Sequence, residues 1–186
     1  MRKKENVEPL RTETEIQDFL FWLRRSKNSD RDVFLFKLGI NTGLRMSDLV
    51  SLKVSDVAAS INPKIKEKKT GKTRVLFLAN LQEEIKDFTK DKNLEDWLFP
   101  SRQGKHEPIK VNTVYQLYQK VANNLNRKDI GTHTVRKTFG YHYYRSTKDI
   151  ATLMEIFNHT SQQITKRYIG IREEEISETF KNFKIG

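Results

Sequence analysis

The chain has 186 residues, the length of one ordinary domain and enough to bury a continuous core. It contains no cysteine, which excludes a disulfide framework, a thiolate nucleophile and cysteine-ligated zinc, and which fits a reducing compartment. Lysine and arginine number 35 against 24 aspartates and glutamates, a formal surplus of +11, so nucleic acid is the first partner to consider.

No apolar run is long enough to span a bilayer. Met1-Arg2-Lys3-Lys4 leads into Glu5, Asn6 and Glu8 instead of a signal core, so no membrane partner and a soluble cytoplasmic protein are expected. Residues 1–11 are polar, basic and aperiodic, and read as a flexible arm or linker remnant. Thr12 and Glu15 form a capping-box pattern, after which Ile16, Phe19, Leu20 and Leu23 recur at helical spacing. Ser29 or Asp30 can cap a second helix, whose Val33, Phe34, Phe36, Leu38 and Ile40 predict deep burial up to Gly43. The run Thr42-Gly43-Leu44-Arg45-Met46-Ser47-Asp48-Leu49 then turns a corner that presents Arg45 at the start of a short helix. Asp48 shares its face and is positioned to hold the guanidinium by a charge-assisted bond, the alternative being an ordinary surface ion pair.

From Ile61 to Leu78 the pattern changes to strands, with Thr70-Gly71 as the turn and Val75 to Leu78 as the returning strand. Lys64, Lys66, Lys68, Lys69, Lys72 and Arg74 crowd this hairpin and suit it to a DNA phosphate backbone, although lysines also guard edge strands. Helical spacing resumes at Leu81, Ile85 and Phe88. Trp97 to Pro100 forms a short aromatic segment, and Ser101 to Pro108 reads as a loop carrying Arg102, Lys105 and His106. Asn112 is placed to cap a helix whose stripe is Val114, Leu117, Tyr118, Val121 and Leu125, so Tyr115 and Tyr118 are assigned to packing. Thr132 opens a helix running to about Arg145, Thr147 caps the next, and Ser161 caps a short helix containing Tyr168. Glu173 to Lys184 predicts a last amphipathic helix, with Ile176, Phe180 and Phe183 on one face. The fold class read from these elements is α+β, mainly α, with a small antiparallel hairpin.

The chemistry centres on His133-Thr134-Val135-Arg136, which sets an imidazole and a guanidinium on one helical face. A planar five-donor cation clamps phosphate oxygens, and an imidazole beside it can move a proton near neutral pH, so the pair points to phosphoryl chemistry. There is no P-loop and no paired-carboxylate cluster of two-metal spacing, and neither metal nor cofactor is expected. Metal-free cleavage then needs a side-chain nucleophile, for which serine, threonine and tyrosine are the candidates.

The ordered set of motifs resembles the tyrosine recombinases, or phage-type integrases, over nearly the whole chain after residue 11. Thr42 to Leu49 is similar to the first arginine box, T-G-L-R-x-S-E-L, with Asp48 in place of glutamate. Lys69 falls where the hairpin lysine would lie, between its neighbours Lys68 and Lys72, and His133-Thr134-Val135-Arg136 matches H-x-L-R with valine for leucine. Asn158-His159-Thr160-Ser161 is similar to L-G-H-x-S, with Phe157-Asn158 where leucine and glycine are usual, and Thr165-Lys166-Arg167-Tyr168 fits the T-x-x-Y of the nucleophile.

The resemblance implies that Arg45 and Arg136 grip the scissile phosphate, that His159 adds a hydrogen bond there and that Tyr168 attacks phosphorus to give a 3′-phosphotyrosine. It further implies Lys69 as acid to the leaving 5′ oxygen and His133 as base towards the tyrosine, with Asp48 supporting and Lys66, Lys68, Lys72 and Arg74 on the DNA backbone. Residues 12–186 would be the catalytic domain and 170–186 its tail, whose helix self-associates with a neighbouring copy on double-stranded DNA, the alternative being that it packs back on its own domain. Family members usually carry a core-binding domain ahead of this one, so the chain reads as a catalytic fragment or a short stand-alone member, nucleoid-associated when bound. Two other classes fit parts of the pattern: a DNA-binding accessory protein on the same fold with its chemistry lost, and an RNA- or ribosome-associated basic protein.

Overall fold

The computed structural model describes residues 7–102, 104–171, 177, 180–181 and 183–185, the side chains of 104–106 excepted. Thr12 and Glu15 satisfy each other's backbone donors in the expected capping box and start α1 (Glu13–Leu23), which buries Ile16, Phe19, Leu20 and Leu23. Helix α2 (Ser29–Thr42) follows Asn28, so Ser29 and Asp30 lie inside its first turn and neither is the cap. There Asp30 and Asp32 place negative charge at the positive end of the helix dipole. Gly43 closes α2 at φ +61, a left-handed conformation that costs other residues strain. The short α3 (Met46–Leu49) and α4 (Ser55–Ala58) return Leu49, Leu52, Val54 and Val57 to the core.

The basic hairpin forms as expected but with shorter strands, β1 (Lys64–Lys66) against β2 (Thr73–Val75) in antiparallel register. The returning strand begins at Thr73, ahead of the expected Val75, because the turn closes within residues 67–72: Glu67 N donates to Lys72 O and Gly71 N to Glu67 O. Helix α5 (Gln82–Thr89) follows. The expected loop from Ser101 to Pro108 is instead a second hairpin, β3 (Pro100–Ser101) with β4 (Gly104–Pro108). It is short and irregular, with a register shift at Pro100 and Ser101, which hides the alternation that marks a strand in sequence.

Helix α6 (Val111–Asn124) is preceded by Lys110, which puts Asn112 inside the first turn and corrects its assignment as the cap. Tyr118 is fully buried and Tyr115 exposed, as packing residues at the core and its edge. Helix α7 (Thr132–Thr147) ends with Lys148 in the left-handed region, and Asp149, not Thr147, caps α8 (Ile150–Phe157) by accepting from Thr152 N. Ser161 caps α9 (Gln162–Ile169) through Ile164 N, as its sequence predicts. The expected helix from Glu173 to Lys184 falls largely outside the described residues, within which Phe180, Phe183 and Ile185 are exposed.

Two apolar clusters meet at α7. The larger is organised around Phe19, which stacks on Phe36 at 4.7 Å and takes the edge of Tyr118 at 5.2 Å. The smaller holds Leu153, Phe157 and Ile169, with Phe139 and Tyr143 of α7 packed on it. Helices α2 and α7 approach closely because Gly39 has no side chain: a Cβ there would lie 2.3 Å from Val135 Cγ1. The backbones at the ends of α2, α7 and α8 are thereby brought together at one place.

The segment before α1 is tied down more firmly than a loose arm. Residues 1–6 lie outside the described chain, but Leu10 is fully buried, its N–H donates to Thr138 Oγ1 at 2.9 Å, and Glu8 N donates to Asp129 O at 2.8 Å. Arg11 reaches Gly170 O at 2.6 Å and Lys137 Nζ reaches Val7 O, so this stretch crosses α7 and the end of α9. A single leucine inside a polar run carries no periodicity, which is why its burial is invisible in the sequence. Replacing Leu10 with alanine is expected to cost about 2–5 kcal/mol of unfolding free energy. Denaturant titration with the slope held common reads this directly, and a change near zero would return the segment to the status of a loose arm.

Candidate active site

Gly43 serves two purposes. Its left-handed turn aims the chain into α3, and its carbonyl accepts from Arg136 Nη1 at 2.5 Å. A second bond runs from Arg136 Nη2 to Phe157 O at 3.2 Å, and the guanidinium lies 4.3 Å over the Phe157 ring. Arg136 is only 3% exposed, and its described hydrogen bonds go to carbonyls of α2 and α8. Burial lowers its pKa to about 10, against the pull of Tyr168, with Arg45 and Arg74 adding to the decrease. It remains a cation at neutral pH, and no carboxylate lies within ion-pair distance of it among the described residues.

Arg45 occupies the N-cap of α3 in an extended conformation, which sends its side chain across to the basic hairpin. There Nη1 donates to Glu67 Oε2 at 2.9 Å. The expected partner, Asp48, lies 4.0 Å from the same nitrogen, and its own hydrogen bond is to Lys68 N at 2.9 Å. A cap residue does not continue the helical face, so the expected three-residue pairing weakens and the carboxylate braces the hairpin instead. Glu67, the carboxylate that holds Arg45, is the residue of this group that the sequence does not single out. Its signal was parity: Pro63, Ile65 and Glu67 alternate inward between exposed lysines.

Tyr168 stands on α9 with its hydroxyl 3.1 Å from His133 Nδ1. Its ring is boxed by the edges of Phe157 at 5.4 Å and His159 at 5.2 Å, with Lys137 Nζ 5.5 Å from the centroid. Desolvation raises the phenol above its ordinary 10.0, although the charges of Arg136 and Arg45 work against this. His133 shifts the other way: crowding of its ring lowers its pKa below 6.5, aided by the charges of Arg136, Lys137, Arg45 and Lys69. His159 is also lowered, by burial first and then by Arg136 and Arg45. Its Nδ1 meets Thr165 Oγ1 at 3.1 Å, and that hydroxyl in turn lies 3.2 Å from Ser161 O, so the cap of α9 also orients the imidazole.

The hairpin lysines divide. Lys66, Lys68 and Lys69 are exposed, and Lys69 touches the group only through its field on His133. Lys72 Nζ donates to Asn158 Oδ1 at 2.6 Å. Arg74 departs from the expected DNA-facing set: it turns inward, donating to Thr42 O at 2.5 Å with Glu67 3.9 Å away. Strand parity explains this, because Arg74 pairs with the buried Ile65. Among the described residues no group of three or more histidines, aspartates and glutamates is placed to hold a metal ion, and no helix is long and apolar enough to cross a membrane.

Comparison with known proteins places this arrangement. Residues 10–175 match the model of the phage integrase family. The chain is 43% identical over 178 residues to the probable integrase/recombinase YoeC of Bacillus subtilis (strain 168), covering 95% of this chain and 97% of that one. It is 28% identical over 169 residues to the tyrosine recombinase XerA of Thermococcus onnurineus (strain NA1), covering 89% of this chain and 59% of the relative. Among solved structures, a XerA recombinase aligns over all of this chain and 67% of its own with a TM-score of 0.72 at 19% identity. The XerH recombinase in a post-cleavage complex with its palindromic difH substrate aligns over 94% of this chain and 52% of its own at 0.70 and 20% identity. These likenesses establish the fold, which is mainly helical with small antiparallel hairpins. By its family match and its relatives, the chain belongs to the phage integrase family, as a tyrosine recombinase catalytic domain.

Proposed function

We propose that this chain cleaves and rejoins duplex DNA through a covalent 3′-phosphotyrosine at Tyr168, in site-specific recombination or integration. The observation that carries the reading is the hydrogen bond between the Tyr168 hydroxyl and His133 Nδ1, set in the field of Arg136 and Arg45. A scissile phosphate bound by the two guanidiniums would have its nonbridging oxygens neutralised as charge grows in the pentacoordinate transition state. His159 supplies a further hydrogen bond to it. The phenol oxygen bonds to phosphorus, its proton passes to His133, and the bond to the 5′ oxygen breaks as Lys69 protonates that leaving group. The ester keeps the bond energy, so a 5′ hydroxyl of another strand can reverse the step with no external energy source.

Lys66, Lys68 and Lys72 contact the DNA backbone beside this site. The tail that includes Phe180 and Phe183 docks on a neighbouring protomer when several copies assemble on DNA, its exposed rings being the supporting feature. The cation surplus and the DNA-bound relatives support action in the cytoplasm at the nucleoid.

Denaturing gels of a nicked suicide duplex incubated with the chain test the central step. Tyr168→Phe is expected to abolish the covalent adduct and leave DNA binding near wild type, since it removes one hydroxyl; an undiminished adduct would reject Tyr168. Arg45→Lys and Arg136→Lys should each lose about a hundredfold or more in single-turnover cleavage, because a point charge cannot reproduce the guanidinium fork. Normal rates in both would remove the phosphate clamp. The pH profile follows from the signs of the shifts. His133 must be neutral to accept a proton and titrates below 6.5, so adduct formation should hold on acidification through that value and fall only beyond it. A fall centred above 6.5 would contradict His133 as the base.

A further inference from the structure

Glu67 is a carboxylate only 4% exposed inside a hairpin otherwise studded with lysines. Its Oε2 accepts from Arg45 Nη1 at 2.9 Å and from Thr70 Oγ1 at 2.8 Å, while Oε1 lies 3.9 Å from Arg74 Nη1. Thr70 directly follows Lys69. The Glu67 backbone also closes the turn, donating to Lys72 O and accepting from Gly71 N at 2.9 Å each. Lys69 therefore sits at the apex of a turn fixed on its inner side by the same carboxylate that holds Arg45. Burial disfavours its charge, but the hydrogen bonds from Thr70 and Arg45 and the charges of Arg45 and Arg74 outweigh this and hold it below the ordinary carboxylate range. It is ionised wherever the enzyme would work.

We propose that Glu67 is a positioning residue that sets the phosphate clamp and the leaving-group acid in fixed relation, by binding the Arg45 guanidinium and the Lys69 turn with one carboxylate. The inference rests on the recombinase reading above. The two groups act at different atoms, Arg45 on a nonbridging oxygen and Lys69 on the leaving oxygen, and they come from separate elements, the N-cap of α3 and the turn between β1 and β2. A phosphate must find both at once, and a misplacement of about 1 Å in such a pair costs about a hundredfold in rate. Asp48 braces the same turn from the backbone side through Lys68 N, and Glu67 is the connection between the two side-chain functions.

The test compares single-turnover adduct formation on two nicked duplexes that differ at one atom, with sulfur replacing the 5′ bridging oxygen of the scissile phosphate in the second. A thiolate leaves without a proton, so any loss that acts through Lys69 disappears on the sulfur substrate and any loss that acts through Arg45 persists. Glu67→Gln keeps the shape and removes the charge. It should slow cleavage of the oxygen substrate by about a hundredfold, recover in part on sulfur, and leave DNA affinity close to wild type. Thr70→Val cuts only the link to the turn, so its loss should be recovered fully on sulfur, and it carries the test if Glu67→Gln fails to fold. Lys69→Ala and Arg45→Lys bracket the two as fully recovered and unrecovered references. Wild-type rates in Glu67→Gln and Thr70→Val, or a loss that sulfur leaves untouched in both, would overturn the proposal while wild-type adduct formation kept the recombinase reading intact. A wild-type chain that forms no adduct on either substrate would overturn both.

Discussion

A guanidinium withdrawn from water costs several kcal/mol unless its donors are met, and Arg136 is met by backbone carbonyls, not by acids. The distinction governs the site. A carboxylate partner would cancel the charge, whereas the Gly43 and Phe157 carbonyls satisfy hydrogen bonds and leave the cation available to an anion. Those carbonyls must be delivered to the right place by the ends of α2 and α8, which requires the tight turn at Gly43 and the close approach of α2 to α7 at Gly39. The seam between the two apolar clusters is where this charge lies, and the packing on both sides serves to hold it.

The same cations act on the Tyr168 and His133 pair. Desolvation raises the Tyr168 pKa, and desolvation followed by the neighbouring cations lowers that of His133, so two groups 3.1 Å apart are shifted in opposite directions. Neither shift alone would be informative, since buried tyrosines and crowded histidines are common. Under the mechanism proposed above, this opposition across one hydrogen bond suits an acid and a base that exchange a proton only as the phenol oxygen bonds to phosphorus.

What the sequence made legible follows from how each residue acts. Helices with an apolar stripe and a side-chain cap, such as α1 and α9, appear where Thr12 and Ser161 say they should. The site residues Arg45, His133, Arg136, His159 and Tyr168 come from short motifs whose order survives folding, and all five converge. Elements fixed by backbone alone were not legible: the hairpin of β3 and β4 has no clean alternation, and α2 and α6 begin without a side-chain cap. Charged residues that act inward were hidden for another reason. Glu67 and Arg74 sit in a run of surface lysines, and only the two-residue parity of a strand separates a buried charge from a solvated one.

Asn158 shows how a departure from a family pattern can be absorbed. It stands where glycine is usual and adopts φ 53 and ψ 49 at the end of α8, a left-handed conformation that asparagine tolerates better than other residues with a side chain. The side chain it adds is used, since Oδ1 receives Lys72 at 2.6 Å and ties the hairpin to the segment that carries His159. The hairpin is thus anchored on two flanks, to the first arginine box through Glu67 and Asp48 and to the third box through Lys72. Lys69 lies between these anchors and makes no hydrogen bond among the described residues. Under the mechanism proposed above, a lysine that hands a proton to a leaving oxygen would use this combination, a backbone fixed on both sides and an ammonium that gives up no hydrogen bond among the described residues.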